Sequence, residues 1–277
     1  MITILIVILL LGLVVGSFLN VIIIRSQKSE SLGGRSKCQG CGKTLNIIEL
    51  IPILSFLLQK GRCRNCGSAL SLQYPIVEGS TGILFALASW YIFNYQFPFI
   101  LDSLFVGLLP ENLLLAFGFW LLALIAISAA VVIFVSDILY FTIPNGAFLV
   151  LLSLGVILRL YIYWPAVGSN LVKDLGAAIF FALLIASLWF FSKGRWMGLG
   201  DAKLILATSL ILGHTQAISA FLFSFWLGGL AGILLLLFRL KSLTDHIPFG
   251  PFIIIGSVLA YFFSDFFLSY TNLYPLF

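Results

Sequence analysis

Charge is what this sequence lacks. Lys, Arg, Asp and Glu make up 9% of its 277 residues against 61% hydrophobic residues, and the mean hydropathy is +1.16. A soluble domain carries roughly 25% charged residues. So few charges cannot cover a water-facing surface, which excludes a soluble globular domain and leaves a chain that crosses a bilayer several times. A basic n-region is also missing ahead of the first apolar run, so no cleaved signal peptide is expected. No Gly-x-Gly-x-x-Gly follows a strand-like run, so a nucleotide-type cofactor site cannot be located. No nucleic-acid partner is expected.

What is present is a series of uncharged runs. A spanning helix needs about 17–25 such residues. Residues 1–24, 79–100, 112–136, 147–164 and 175–192 qualify, as does 251–268. The run 204–238 is too long for one helix, and Gly213-His214-Thr215-Gln216 divides it, with the first part starting near Asp201. The expectation is an all-α polytopic membrane protein of about eight helices, the sixth being the shortest. Arg159, near the end of its span, is expected to snorkel to the interface. Arg25, Lys28, Arg35, Lys37, Lys43, Lys60, Arg62 and Arg64 all fall between the first two spans. Lys193, Arg195, Arg239 and Lys241 share that side, while the opposite loops offer Lys173 with Asp102, Glu111 and Asp174. The bias puts the basic side in the cytosol and both termini on the far side. Three parts follow: a first helix at 1–25, a polar insert at 26–75, and a membrane domain of about seven helices at 76–277.

All four cysteines lie in the insert, in two matched pieces, Cys38-Gln39-Gly40-Cys41-Gly42 and Cys63-Arg64-Asn65-Cys66-Gly67. Each Cys-x-x-Cys-Gly turn brings two thiolates together, so Cys38, Cys41, Cys63 and Cys66 read as one structural zinc site of ribbon type. Two disulfides or free thiols are the plainer readings, but a cytosolic face is reducing. Lys37, Lys43, Arg62 and Arg64 would offset the net charge of about −2 on a four-thiolate zinc.

Two aspartates at span ends draw notice. Asp137 stands in Val135-Ser136-Asp137-Ile138-Leu139, ahead of Pro144, which cannot continue a helix. Asp201 stands in Met197-Gly198-Leu199-Gly200-Asp201-Ala202-Lys203. A lone aspartate at a helix end is usually a cap, which suits Asp102, Asp174 and Asp265. It suits Asp201 less well, because a cap does not require Gly198 and Gly200, whose bare backbone permits close approach. Two carboxylates in a partly desolvated site share a proton, so one can activate water while the other protonates a leaving amine. Gly-x-Gly-Asp alone is too short to decide this.

Taken in order, the motifs resemble the bacterial type IV prepilin peptidase family. They are Gly16-Ser17-Phe18-Leu19-Asn20-Val21, the paired cysteines, Ile51-Pro52-Ile53, Tyr74-Pro75-Ile76-Val77-Glu78, Asp137 to Pro144-Asn145, Gly198 to Lys203, and Ile247-Pro248-Phe249-Gly250-Pro251. The resemblance implies a Gly-x-Gly-Asp aspartyl protease of the bacterial inner membrane that removes the basic leader of prepilins and pseudopilins at the cytosolic face. It also implies methylation of the new N-terminal amine from S-adenosylmethionine. On it, Asp137 and Asp201 form the catalytic pair, with Gly198, Gly200, Lys203 and Pro144 supporting them. The leader's positive residues are expected to meet anionic membrane lipids, Glu49 or Glu78. Two departures stand out: Leu139, where many members carry a second acidic residue, and Gln39, where many have proline.

Other readings are a zinc-bearing scaffold without enzymatic activity, which leaves both aspartates unexplained, and a transporter, which would place such groups near the bilayer midplane. Presenilin-type proteases share Gly-x-Gly-Asp but pair it with Tyr-Asp, where this chain has Ser136-Asp137. Archaeal preflagellin peptidases would lack the cysteine insert.

Overall fold

The structure is a computed structural model that describes residues 1–28, 30–96, 110–163, 169–242 and 245–270. Asp102 and the side chains of Glu111 and Asp265 fall outside the described residues. Among the described residues the chain is helical, with two isolated antiparallel bridges. The helices are α1 (Ile2–Gln27), α2 (Leu54–Leu58), α3 (Gln73–Tyr91, continued by a π-helical turn), α4 (Pro110–Tyr140), α5 (Asn145–Tyr163), α6 (Ser169–Ser192), α7 (Leu199–Leu212), α8 (His214–Leu237) and α9 (Gly250–Tyr270).

Of the eight crossings expected, six have the length and apolarity to span a membrane among the described residues. The exceptions are α7 and the described part of α9. At 1.5 Å per residue, the 14 residues of α7 reach about 21 Å, short of the roughly 30 Å hydrocarbon core. The chain is a multi-pass membrane protein.

Two compact units divide the chain, Met1–Val132 and Ile133–Phe277. In the first, α1 and α3 approach until their backbones nearly touch. A β carbon at Gly12 would lie 2.7 Å from the Gly82 Cα, and one at Gly16 would lie 2.7 Å from the Glu78 Cα. Gly12-Leu13-Val14-Val15-Gly16 is thus a small-xxx-small seam, which lets helices associate where lipid offers no hydrophobic drive. Ile8, Phe85, Ile92, Trp120 and Leu124 pack into one cluster joining α1, α3 and α4. The Trp120 indole donates to Ser89 Oγ at 2.8 Å, so neither polar group is orphaned in that core.

In the second unit α7 is the hub, packed against α5, α6, α8 and α9. Eight of its residues are buried, from Asp201 to Leu210. A helix enclosed by protein on all sides needs no long lipid-facing apolar surface, which accounts for its shortness. The last turn of α4, the start of α7 and the start of α9 meet at one end of this unit. The ends of α5 and α7 and the starts of α6 and α8 meet at the other.

Candidate active site

Asp137 and Asp201 come together at the first of these ends. Both are buried, with 6% and 8% of their surface exposed, and the charge of Asp137 is felt at Asp201. Helix α4 stops at Tyr140, where Phe141 turns to a φ of 54°. The stop comes before Pro144 rather than at it; Pro144 instead accepts the Phe148 N–H and opens α5. Asp201 sits in the first turn of α7 and accepts the Gly198 N–H on Oδ2 at 3.0 Å. It therefore caps its own helix after all, and Gly198 supplies the amide it caps. Gly200 serves packing within the chain: a β carbon there would lie 3.2 Å from the Ile143 Cδ1. Asp137 Oδ2 accepts the Gly250 N–H at 2.8 Å. Oδ1 of each aspartate accepts no hydrogen bond from the described residues. Lys203 Nζ reaches Asn145 Oδ1 at 3.4 Å, linking the starts of α7 and α5 beside the pair.

The cysteine turns repeat with the same hydrogen bonds. Cys38 N donates to Lys43 O and Gly42 N to Cys38 O, each at 2.9 Å; Cys63 N to Ser68 O and Gly67 N to Cys63 O match them, also at 2.9 Å. Outer bonds from Leu45 N to Ser36 O and Leu70 N to Gly61 O complete the pairing at 2.8 Å. Two identical knuckles face each other, and all four Sγ atoms lie within 4.8 Å of one another. Zinc–sulfur bonds of about 2.3 Å require sulfurs about 3.8 Å apart at tetrahedral angles, and Cys38 and Cys66 stand at 3.9 Å. Amides of Cys41 and Gly40 lower the Cys38 thiol to about 6, and the Ser68 hydroxyl lowers that of Cys66. The Cys63 thiol is raised, against the amides of its own turn, with the Cys38 sulfur beside it, so Cys38 and Cys66 are the two drawn toward the thiolate, the form that binds metal. The Arg25 guanidinium gathers the linker before it, donating to Leu32 O at 2.8 Å and Gly33 O at 2.6 Å.

Two expectations change. Arg159 does not snorkel. It is buried and donates to Asp174 Oδ2 at 3.1 Å, Leu210 O at 2.7 Å and Ile211 O at 2.6 Å, so a buried acid and helix-end carbonyls replace the water it would otherwise seek. Glu78 is not open to a substrate. It is 6% exposed, and its carboxylate holds the Ile53 N–H at 2.7 Å where Ile53 takes a φ of 60°. Beside it, Gln73 donates to Asn20 Oδ1 and Asn20 to Tyr74 O, both at 3.2 Å, tying the start of α3 to α1. The motifs around Asn20, Ile53 and Glu78 thus form one polar joint between helices. The clue was available: an ionisable group inside a span needs an internal partner.

The family model for the bacterial peptidase A24 N-terminal domain matches residues 10–92, and that for the type IV leader peptidase family matches residues 124–233. Curated relatives align over nearly the whole chain. A prepilin leader peptidase/N-methyltransferase of Bacillus subtilis (strain 168) is 34% identical over 260 residues, covering 94% of each chain. One of Legionella pneumophila is 29% identical, covering 92% of this chain and 90% of its own length. One of Pseudomonas aeruginosa is 28% identical, covering 92% and 89%. No solved structure matches significantly. With both family models aligned in order and a 34% identical relative matched over 94% of each chain, the chain belongs to the type IV leader peptidase family, among the bacterial prepilin leader peptidase/N-methyltransferases.

Proposed function

We propose that this protein is an aspartyl endopeptidase of the bacterial cytoplasmic membrane that removes the leader from type IV prepilins and pseudopilins. The observation that carries it is the burial of Asp137 and Asp201 together at one end of the second unit, each with one oxygen held by a backbone amide. Two adjacent buried carboxylates retain one proton between them. A water bound between the free oxygens loses a proton to the ionised member and attacks the scissile carbonyl carbon. The protonated member donates to the carbonyl oxygen as it gains charge. The tetrahedral intermediate then collapses, the C–N bond breaks, and a carboxyl proton passes to the leaving amine. Purified protein incubated with a prepilin should release the shortened product; a full-length prepilin after prolonged incubation would reject this reading.

The basic side of the chain faces the cytosol in this reading, which puts the aspartates there and both termini outside. The leader's positive residues then meet anionic headgroups, since Glu78 is occupied by Ile53. Transfer of a methyl group from S-adenosylmethionine to the new N-terminal amine follows the relatives' names. No residue of this chain is assigned to the donor.

Residues 26–75 act as a zinc-bearing cytosolic insert and 76–277 as the peptidase domain. Cys38, Cys41, Cys63 and Cys66 hold one structural zinc, and four protein ligands leave no open position for chemistry on substrate. Metal analysis should give about one zinc per chain. Cys63→Ser should lose it and expose the insert to proteolysis. A metal-free wild type, or full zinc in the variant, would remove the site.

A further inference from the structure

We propose that the Phe249–Gly250 start of α9 is a positioning device for Asp137, set by the seating of Phe249 on Gly228; this rests on the reading of Asp137 as catalytic. Asp137 lies in the last turn of α4, where the helix presents carbonyls rather than N–H groups, and that end disfavours a carboxylate. Among the described residues its backbone donor comes from another helix, the Gly250 N–H at the start of α9. The approach leaves no room for a side chain. A β carbon at position 250 would lie 2.8 Å from Asp137 Oδ2 and 3.2 Å from its Cγ.

What fixes that amide in place is α8. A β carbon at Gly228 would lie 2.8 Å from the Phe249 ring, so the ring occupies the space glycine leaves. Phe225 packs on the same ring with centroids 5.1 Å apart. Farther along, a β carbon at Gly256 would lie 2.7 Å from Ser224 N and 2.9 Å from Ala220 O, so the two helices touch backbone to backbone. Both contacts lock α9 against sliding along α8. The first amide of α9 therefore meets Asp137 at a fixed height. Through that amide, Gly228 and Phe249 determine where the Asp137 carboxylate points. Catalytic geometry tolerates little error: a misplacement of about 1 Å can cost about 100-fold in rate.

The test uses full-length protein in detergent with a prepilin substrate. Thermal unfolding confirms that each variant is folded. Gly250→Ala should lower kcat about 100-fold with KM within about twofold, because substrate binding is untouched while the carboxylate is pushed aside. Gly228→Ala should give a smaller loss of the same kind. Adding Phe249→Leu to it should restore most of the rate, since the smaller side chain vacates the space the new methyl needs. A merely structural role would move stability and leave this kcat pattern and its rescue unexplained. Wild-type kcat in Gly250→Ala overturns the proposal, as does a Gly228→Ala defect that Phe249→Leu fails to repair. Asp137→Asn serves as the control. Activity retained there removes the catalytic pair itself, whereas an inactive Asp137→Asn beside a fully active Gly250→Ala removes only the positioning role.

Discussion

Asp137→Asn and Asp201→Asn should each abolish prepilin cleavage, by about 10⁴-fold or more, while leaving the fold intact. The substitution keeps side-chain volume and the oxygen that accepts the Gly250 or Gly198 amide, so packing at the site is preserved. What it removes is the carboxyl chemistry. Without an ionisable Asp137 or Asp201 the pair cannot hold both a base and an acid, and water is no longer activated. Because the two act as a unit, the double variant should be no slower than either single one. Stripping zinc should leave the hydrolytic step untouched, as four cysteine ligands leave the metal no open position for water or substrate. Product formation followed by gel shift or mass spectrometry measures all three variants. A folded Asp137→Asn protein cutting at the wild-type rate would end the proposal. So would a double variant far slower than both singles, which would show independent roles.

How legible was this in the sequence? The spans were, because apolar runs bounded by charges carry most of the information about crossing a membrane. α7 was the poorest of them for a physical reason: it is wrapped by four helices, so neither a lipid-facing stripe nor a full-length run is needed. The cysteine knuckles were legible because each is local, closed within a few residues by its own amides. Asp137 and Asp201 stood out as carboxylates at span ends, the second beside Gly198 and Gly200. Their partners did not, because backbone amides leave no mark in side-chain identity. Gly250, 113 residues beyond Asp137, entered only as part of the Ile247 to Pro251 motif of the resemblance. The neighbour of Gly200 stayed hidden for the same reason, since Ile143 is distant in sequence. Arg159 was read against lipid and water alone, and such a reading supplies no acid for it.

Asp174→Ala should be the most destabilising single change away from the catalytic end. Asp174 is 1% exposed and serves four donors: Arg159 at 3.1 Å, the Tyr163 hydroxyl at 2.8 Å, the His214 N–H at 2.8 Å, and His214 Nδ1 at 2.5 Å. Arg159 in turn closes the last carbonyls of α7, Leu210 and Ile211, with its guanidinium packed on Gly213 at a φ of 87°. One buried ion pair thus ties the end of α5, the start of α6, the end of α7 and the start of α8. Deleting the acid strands a buried guanidinium and the amide that opens α8. Removing one partner of such a pair typically costs about 3–5 kcal/mol. The double variant Arg159→Leu/Asp174→Leu leaves no orphaned charge, so its loss should be well below the sum of the two single losses. Thermal unfolding in detergent measures the series. Activity should fall with stability in Asp174→Ala, because α7 carries Asp201 at its opposite end and its anchor has gone. Losses that simply add, or an Asp174→Ala protein melting with the wild type, would show that the pair is solvated and holds nothing together.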